Sequence, residues 1–129
     1  MKNIILYADR LGHPSRFCIQ FLQINKIQFE EVKVSLFSGE CANHPDLPLK
    51  QIPVLKGTLE DTNEMFSIVQ STTILRYLND KLPKEIEGKW YPKNLEKRAK
   101  VDEFIDFFHF SLNPVSQNSI FHIKSKNLL

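Results

Sequence analysis

Cysteine, glycine and long apolar runs are all scarce in this chain of 129 residues, which has two cysteines and four glycines. Cys18 and Cys41 alone cannot form a disulfide framework or a structural zinc site, so we expect a reduced, cytoplasmic protein without metal. No apolar run approaches the roughly 18 residues that span a bilayer, and the run at Asn3–Ala8 is too short for a signal peptide. No membrane partner is therefore expected.

A strong excess of charge of either sign is also absent. The chain has 17 Lys and Arg against 15 Asp and Glu, a net charge of +2 at pH 7, which is too small to indicate a nucleic-acid surface. Basic residues are frequent between Lys81 and Lys100, but glutamates interrupt them, so we interpret that stretch as a solvated face. The 42% hydrophobic residues are ordinary for a globular domain with a real core.

The first part of the chain shows the periodicities of a strand, a helix and a second strand. The apolar run Asn3–Ala8 predicts a buried strand, and the alternation within Gln28–Val34 predicts a half-buried one. Between them, a helix is predicted over Ser15–Ile24, with Pro14 suited to its first turn. Its apolar stripe consists of Phe17, Cys18, Phe21 and Leu22. A β-α-β order favours a parallel pair with a right-handed crossover.

The next part of the chain predicts two strands and a helix. Ser35–Leu47 has no period and is interpreted as a loop, with at most one helical turn. Pro53 must open the strand predicted within Gln51–Gly57 or lie in a special turn, because proline is excluded from a central strand. Phe66–Val69 predicts a further short strand. A helix follows over 70–82, with Ile74, Leu75 and Leu78 on one face.

A linker and one helix complete the pattern. Pro83–Lys93 contains two prolines and a glycine, and a helix ending before Pro114 follows it. The apolar positions of this helix are Val101, Phe104, Ile105, Phe108 and Leu112. The order predicts an α/β thioredoxin-like domain over 1–82, a linker over 83–94, and over 95–129 the first helix of a truncated all-α segment. That apolar stripe is expected to be exposed, because the remaining residues cannot cover it.

Five stretches resemble the theta class of glutathione transferases from about Asn3 to Leu112. They are YADRLGHPSR, FEEVKVSLFSG, QIPVL, QSTTILRYL and KWYPKNLEKRAKVDEF. The WYP linker followed by RAKVDE is fairly specific to that class. The resemblance implies a glutathione site on the first domain and an electrophile site on a helical second domain, most of which is absent here. It also implies cytosolic homodimers that use glutathione as co-substrate, with no bound cofactor.

The resemblance assigns the thiol end of that site to the loop after the first strand. The position of the serine that donates a hydrogen bond to the glutathione sulfur is Gly12, which has no hydroxyl. Ser15 either substitutes for it or caps the first helix, and His13 is either a contact or an exposed loop residue. Because the loop reads Gly-His-Pro-Ser, it lacks the Cys-x-x-Cys of a thioredoxin-type reductase, and Cys18 is interpreted as core packing.

The resemblance assigns the binding of the glutathione backbone to Gln51, Ile52, Pro53, Gln70 and Ser71. A cis bond before Pro53 would present the backbone of Ile52 to the cysteinyl part, whereas the alternative is an ordinary trans proline that opens a strand. Ser71, at a helix start, would bind the γ-glutamyl carboxylate, or it is only an N-cap. Gln70 stands in place of a glutamate that relatives use.

Two more positions depart from the pattern of the class. Cys41 lies near a basic or polar glutathione contact of relatives, and Asn113 lies where relatives carry an arginine. The chain is therefore expected to be a glutathione transferase-like enzyme of weakened activity, acting on glutathione and small electrophiles. The alternative is a non-catalytic glutathione-binding or interaction module, or an inactive truncated product.

Overall fold

A computed structural model describes residues 1–81, 90–112 and 114 of the chain. The chain divides into two compact units, Met1–Pro83 and Lys84–Leu129. Within the described residues no helix is both long and apolar enough to cross a membrane. The elements of the first unit are β1 (Lys2–Ala8), α1 (His13–Ile24), β2 (Glu30–Lys33), α2 (Glu40–Asn43), β3 (Val54–Thr58), β4 (Met65–Val69) and α3 (Ser71–Lys81).

Four strands form one mixed sheet in the order β2-β1-β3-β4. β1 and β2 run parallel, as the β-α-β pattern predicts, with Tyr7 opposite Val32. β3 is antiparallel to both of its neighbours, with Val54 opposite Tyr7 on one side and opposite Val69 on the other. This is the thioredoxin-like α/β fold that the element order predicts.

Side-chain alternation along the strands gives the sheet two buried faces. Leu6, Ala8 and Leu55 are fully buried on the face that carries α1 and α3, which pack against each other. On the opposite face, Tyr7 and Val54 pack with Val34 and Leu47 from the segment after β2. A sheet covered on both faces holds its strand ends in fixed positions, and those ends carry the candidate site.

Helix α1 begins earlier than its apolar pattern predicts. Gly12 is its N-cap with an extended backbone, and Pro14 lies in the first turn, as predicted. Cys18, Phe21 and Leu22 are buried as the stripe requires, but Phe17 is 51% exposed, so its assignment to the buried face is wrong. Phe17 lies at the margin of the stripe, where helical periodicity does not separate a core position from a surface one.

The second unit contains the helix α4 (Leu95–Phe107), which continues as a π-helical turn over Phe108–Leu112. Asn94 caps α4 by accepting a hydrogen bond from the backbone N–H of Lys97 at 2.9 Å. Phe104 is 65% exposed and Phe108 is 38% exposed, which fits the predicted exposed stripe, whereas Val101 and Ile105 are half-buried. Residues 83–89 of the predicted linker lie outside the described residues.

Candidate functional site

The sheet register brings three chain segments to one edge of the first unit. Tyr7, Val54 and Val69 lie side by side on neighbouring strands. β1 ends one residue after Tyr7, β3 begins at Val54, and β4 ends at Val69. The loop that carries Gly12, the Ile52–Pro53 pair and the Gln70–Ser71 pair therefore all start from the same edge. Residues separated by many positions in the sequence are assembled there.

The peptide bond between Ile52 and Pro53 is cis, which confirms the prediction made from QIPVL. The strand ladders begin at Val54, so the backbone N–H and C=O of Ile52 lie outside the paired registers. The Ile52 side chain packs against the core cluster of Tyr7, Val34, Leu47 and Val54. This arrangement anchors Ile52 through its side chain and leaves its backbone at the edge of the sheet.

Gln51 and Gln70 meet at this edge although 19 positions separate them in the sequence, since Nε2 of Gln70 donates to Oε1 of Gln51 at 3.3 Å. Gln70 has a φ of +71°, a left-handed conformation that is uncommon outside glycine. The chain turns there directly from β4 into α3, and the Gln70 carbonyl accepts the N–H of Ile74. Ser71 is the first helical residue and keeps only 5% exposure. Ser71 is therefore not the N-cap, because the preceding residue occupies that place.

Asp9 organises the loop between β1 and α1. One carboxylate oxygen accepts the N–H of Leu11 and the other accepts the N–H of Leu36, each at 2.9 Å. The Asp9 carbonyl accepts the N–H of Gly12 at 3.0 Å. The residue is 3% exposed, so these bonds form in a buried setting where unpaired polar groups would be costly. Asp9 thus joins the Gly12 loop to the segment that follows β2.

Ser15 is buried beneath this loop. Its Oγ accepts the backbone N–H of Asp9 at 3.2 Å, and the residue is 1% exposed. The interpretation of Ser15 as the helix cap is wrong, because Gly12 is the N-cap of α1 and no side-chain cap bond forms there. The enclosed hydroxyl stabilises the Asp9 turn, so we do not assign it to a ligand.

His13 and Arg16 form a pair at the start of α1. His13 is the first residue of the helix rather than a loop residue, and it is half-buried. Nη2 of Arg16 lies 2.7 Å from Nδ1 of His13. The other terminal nitrogen of Arg16 donates to the carbonyl of Arg10 at 3.2 Å and to that of Leu11 at 3.4 Å. The guanidinium of Arg16 thus ties the loop before α1 to the first turn of that helix.

Neither cysteine is an activated thiol. Cys18 is fully buried, which confirms its assignment to the core, and burial raises its pKa to about 12. Cys41 is half-buried, and its Sγ donates to the carbonyl of Ser35 at 3.7 Å. Burial, with the nearby carboxylates of Glu40 and Asp9, raises the pKa of Cys41 as well. Both thiols are therefore protonated at neutral pH. Asn113 lies outside the described residues.

Sequence reasoning missed Asp9 and Arg16. A signal for Asp9 was present, because an aspartate at a strand end often accepts the N–H two residues on, as it does here from Leu11. Its bond to Leu36 joins residues 27 positions apart, and no local pattern indicates it. The contacts of Arg16 with His13 and with two loop carbonyls likewise depend on the turn geometry.

Comparison with known proteins finds similarity to glutathione transferases. No protein-family model matches the chain. The chain is 35% identical over 116 residues to glutathione S-transferase T1 of Arabidopsis thaliana, covering 87% of this chain and 44% of the relative. It is 32% identical over 120 residues to human glutathione S-transferase theta-1, covering 91% of this chain and 47% of the relative.

Solved structures agree with the sequence comparisons. The apo form of human glutathione transferase T1-1 matches with a TM-score of 0.70 at 35% identity, covering 85% of this chain and 44% of that one. Human glutathione transferase theta-2, solved in complex with glutathione and an unknown ligand, matches with a TM-score of 0.70 at 30% identity, covering 83% and 42%. The chain is similar to these theta-class glutathione transferases, and it spans less than half of their length.

Replacing Asp9 by asparagine should destabilise the first unit, because the amide can accept only one of the two backbone N–H groups. Its own NH2 would then face the other N–H. We expect a loss of about 1–3 kcal/mol in the free energy of unfolding, measured by chemical denaturation. Glu31→Gln is the matched control, since that carboxylate pairs at the surface with Arg10, and surface pairs contribute little. Equal losses in the two variants would contradict the assigned role of Asp9.

Proposed function

We propose that the protein binds glutathione at the sheet edge of its first unit and acts as a glutathione transferase-like enzyme of weakened activity. In that reaction the glutathione thiol is conjugated to small electrophiles. The observation that carries the proposal is that the sheet brings the backbone of Ile52, the Gln51–Gln70 pair and the start of α3 to one edge. A related structure of human theta-2 holds glutathione, which supports the same ligand here.

The cysteinyl and γ-glutamyl parts of glutathione each have a matching group at this edge. The backbone N–H and C=O of Ile52 would pair with the cysteinyl part as an added strand does. The γ-glutamyl carboxylate would meet Ser71 and the N-terminal N–H groups of α3, a helix of 11 residues. Gln51 and Gln70 would bind the γ-glutamyl end through neutral amides. Because a charged hydrogen bond contributes about 1.5–3 kcal/mol and a neutral one about 1, this end should be held more weakly than in relatives that use a glutamate.

The weakened activity follows from the thiol end. The thiolate is the attacking species, so a transferase must stabilise it. Gly12 cannot supply a hydroxyl, and the Ser15 hydroxyl is enclosed under the Asp9 turn. We further propose that the protein is cytoplasmic, because both cysteines are free thiols. We also propose that it is a homodimer, because the resemblance implies dimers. A glutathione-binding module without catalysis is the second candidate, and the observation that favours it is Gly12.

Calorimetric titration with glutathione should show saturable binding that depends on Ser71. We expect Ser71→Ala to weaken binding by about tenfold to a hundredfold, because one hydrogen bond to a charged carboxylate is lost. Ser67→Ala is the matched control, since Ser67 lies exposed on β4, away from the end that carries Gln70. A conjugation assay with an aryl halide run in parallel separates the two candidates. Turnover supports the transferase, and saturable binding without turnover supports the module. Absence of binding by the wild type would contradict both.

Gly12→Ser should lower the pKa of the bound glutathione thiol and raise conjugation activity, with little change in glutathione affinity. The backbone φ of Gly12 is −80°, so a side chain is permitted there. An added Cβ would lie 3.1 Å from Cδ1 of Leu36, which a small shift of that side chain relieves. Gly12→Ala is the control, because it adds the same Cβ without a hydroxyl. The thiolate absorbance of bound glutathione, followed against pH, provides the measurement. Identical titration curves for Gly12→Ser and Gly12→Ala would show that position 12 does not reach the sulfur.

A further inference from the structure

The His13–Arg16 pair defines which ring nitrogen of His13 carries a proton. A guanidinium has only donors and stays protonated in proteins, so Nδ1 of His13 must accept the 2.7 Å hydrogen bond from Arg16. A neutral imidazole with Nδ1 as acceptor carries its proton on Nε2. Nε2–H makes no hydrogen bond to any described residue of the chain. The pair therefore leaves a donor unused at the half-buried first residue of α1.

Arg16 holds the ring from an anchored position. The same guanidinium donates to the carbonyls of Arg10 and Leu11, which belong to the loop that precedes the helix. The other charges nearby are already paired, since both oxygens of Asp9 accept backbone N–H groups and Arg10 forms a salt bridge with Glu31. A positive charge beside His13 and an unused N–H donor together favour an anion at this point.

We propose that Nε2–H of His13 donates a hydrogen bond to the glutathione sulfur and stabilises the thiolate in place of the hydroxyl that Gly12 lacks. His13 is then a catalytic residue, and Arg16 is a positioning residue that sets its tautomer. The thiol proton leaves to water, and His13 keeps its own proton throughout. This inference rests on the proposed glutathione site, and it supplies the thiolate-stabilising donor that the proposed activity requires.

The test is a pH titration of the thiolate absorbance of glutathione bound to the wild type and to variants. The thiol bound to the wild type should have a pKa below the free value of about 8.5. His13→Ala should raise that pKa by about one unit, which is tenfold less thiolate at neutral pH, while the dissociation constant for glutathione changes less than threefold. His13→Gln keeps an N–H donor of similar reach and should restore most of the shift. Arg16→Lys, which keeps the charge but loses the planar fork, should give an intermediate pKa.

A control variant and three possible outcomes decide between this inference and its alternatives. His44→Ala is the control, because His44 packs edge-on against the ring of Tyr7 at 5.4 Å and has no described contact with the Gly12 loop. A thiol pKa unchanged by His13→Ala, with glutathione still bound, would overturn this inference and leave the proposed function standing. Equal effects of His13→Ala and His13→Gln would also overturn it, since a donor role requires rescue by glutamine. If wild type binds no glutathione, the proposed function itself fails.

Discussion

The site depends on one buried carboxylate. Asp9 accepts the N–H of Leu11 and of Leu36, and its own backbone bonds the N–H of Gly12 and the hydroxyl of Ser15. These bonds join the end of β1, the first turn of α1 and the segment after β2 into one unit. Without such bonds the loop would sample many conformations. Fixing the backbone of each residue would then cost about 1–2 kcal/mol of conformational entropy. Asp9 therefore fixes the backbone of the loop that carries Gly12.

The candidate site has two halves, the proposed binding half at Ile52 and Ser71 and the proposed thiol end at Gly12. The binding half keeps its geometry, with a cis bond before Pro53 and Ser71 at the start of α3. Gln51 and Gln70 offer neutral amides there, and these amides bond each other. At the proposed thiol end, Gly12 offers no hydroxyl, and Arg16 orients the imidazole of His13 one residue later. A change of donor, rather than a loss of the site, is consistent with all of these contacts.

The elements that a local pattern encodes could be predicted from the sequence, and the contacts between distant segments could not. The β-α-β order, the cis bond at Pro53 and the buried face of α3 follow from periodicity or from a short motif. Ser15 was misassigned, because a small polar side chain in the first helical turn can either cap the helix or face inward. Only the Asp9 turn shows which of the two occurs. The Gln51–Gln70 bond likewise required the register of β3 and β4.

The most direct test of the account is to map glutathione binding on the amide resonances of the isotopically labelled protein by NMR. The account predicts that the largest shifts cluster at Ile52, at Gln70 and Ser71, and at Gly12 and His13, which lie on three segments that the sheet brings to one edge. The amides of Lys2 and Thr58, which pair at the opposite end of β1 and β3, should stay unchanged. Shifts confined to other regions, or none at saturating glutathione, would contradict the central claim that this edge is the glutathione site.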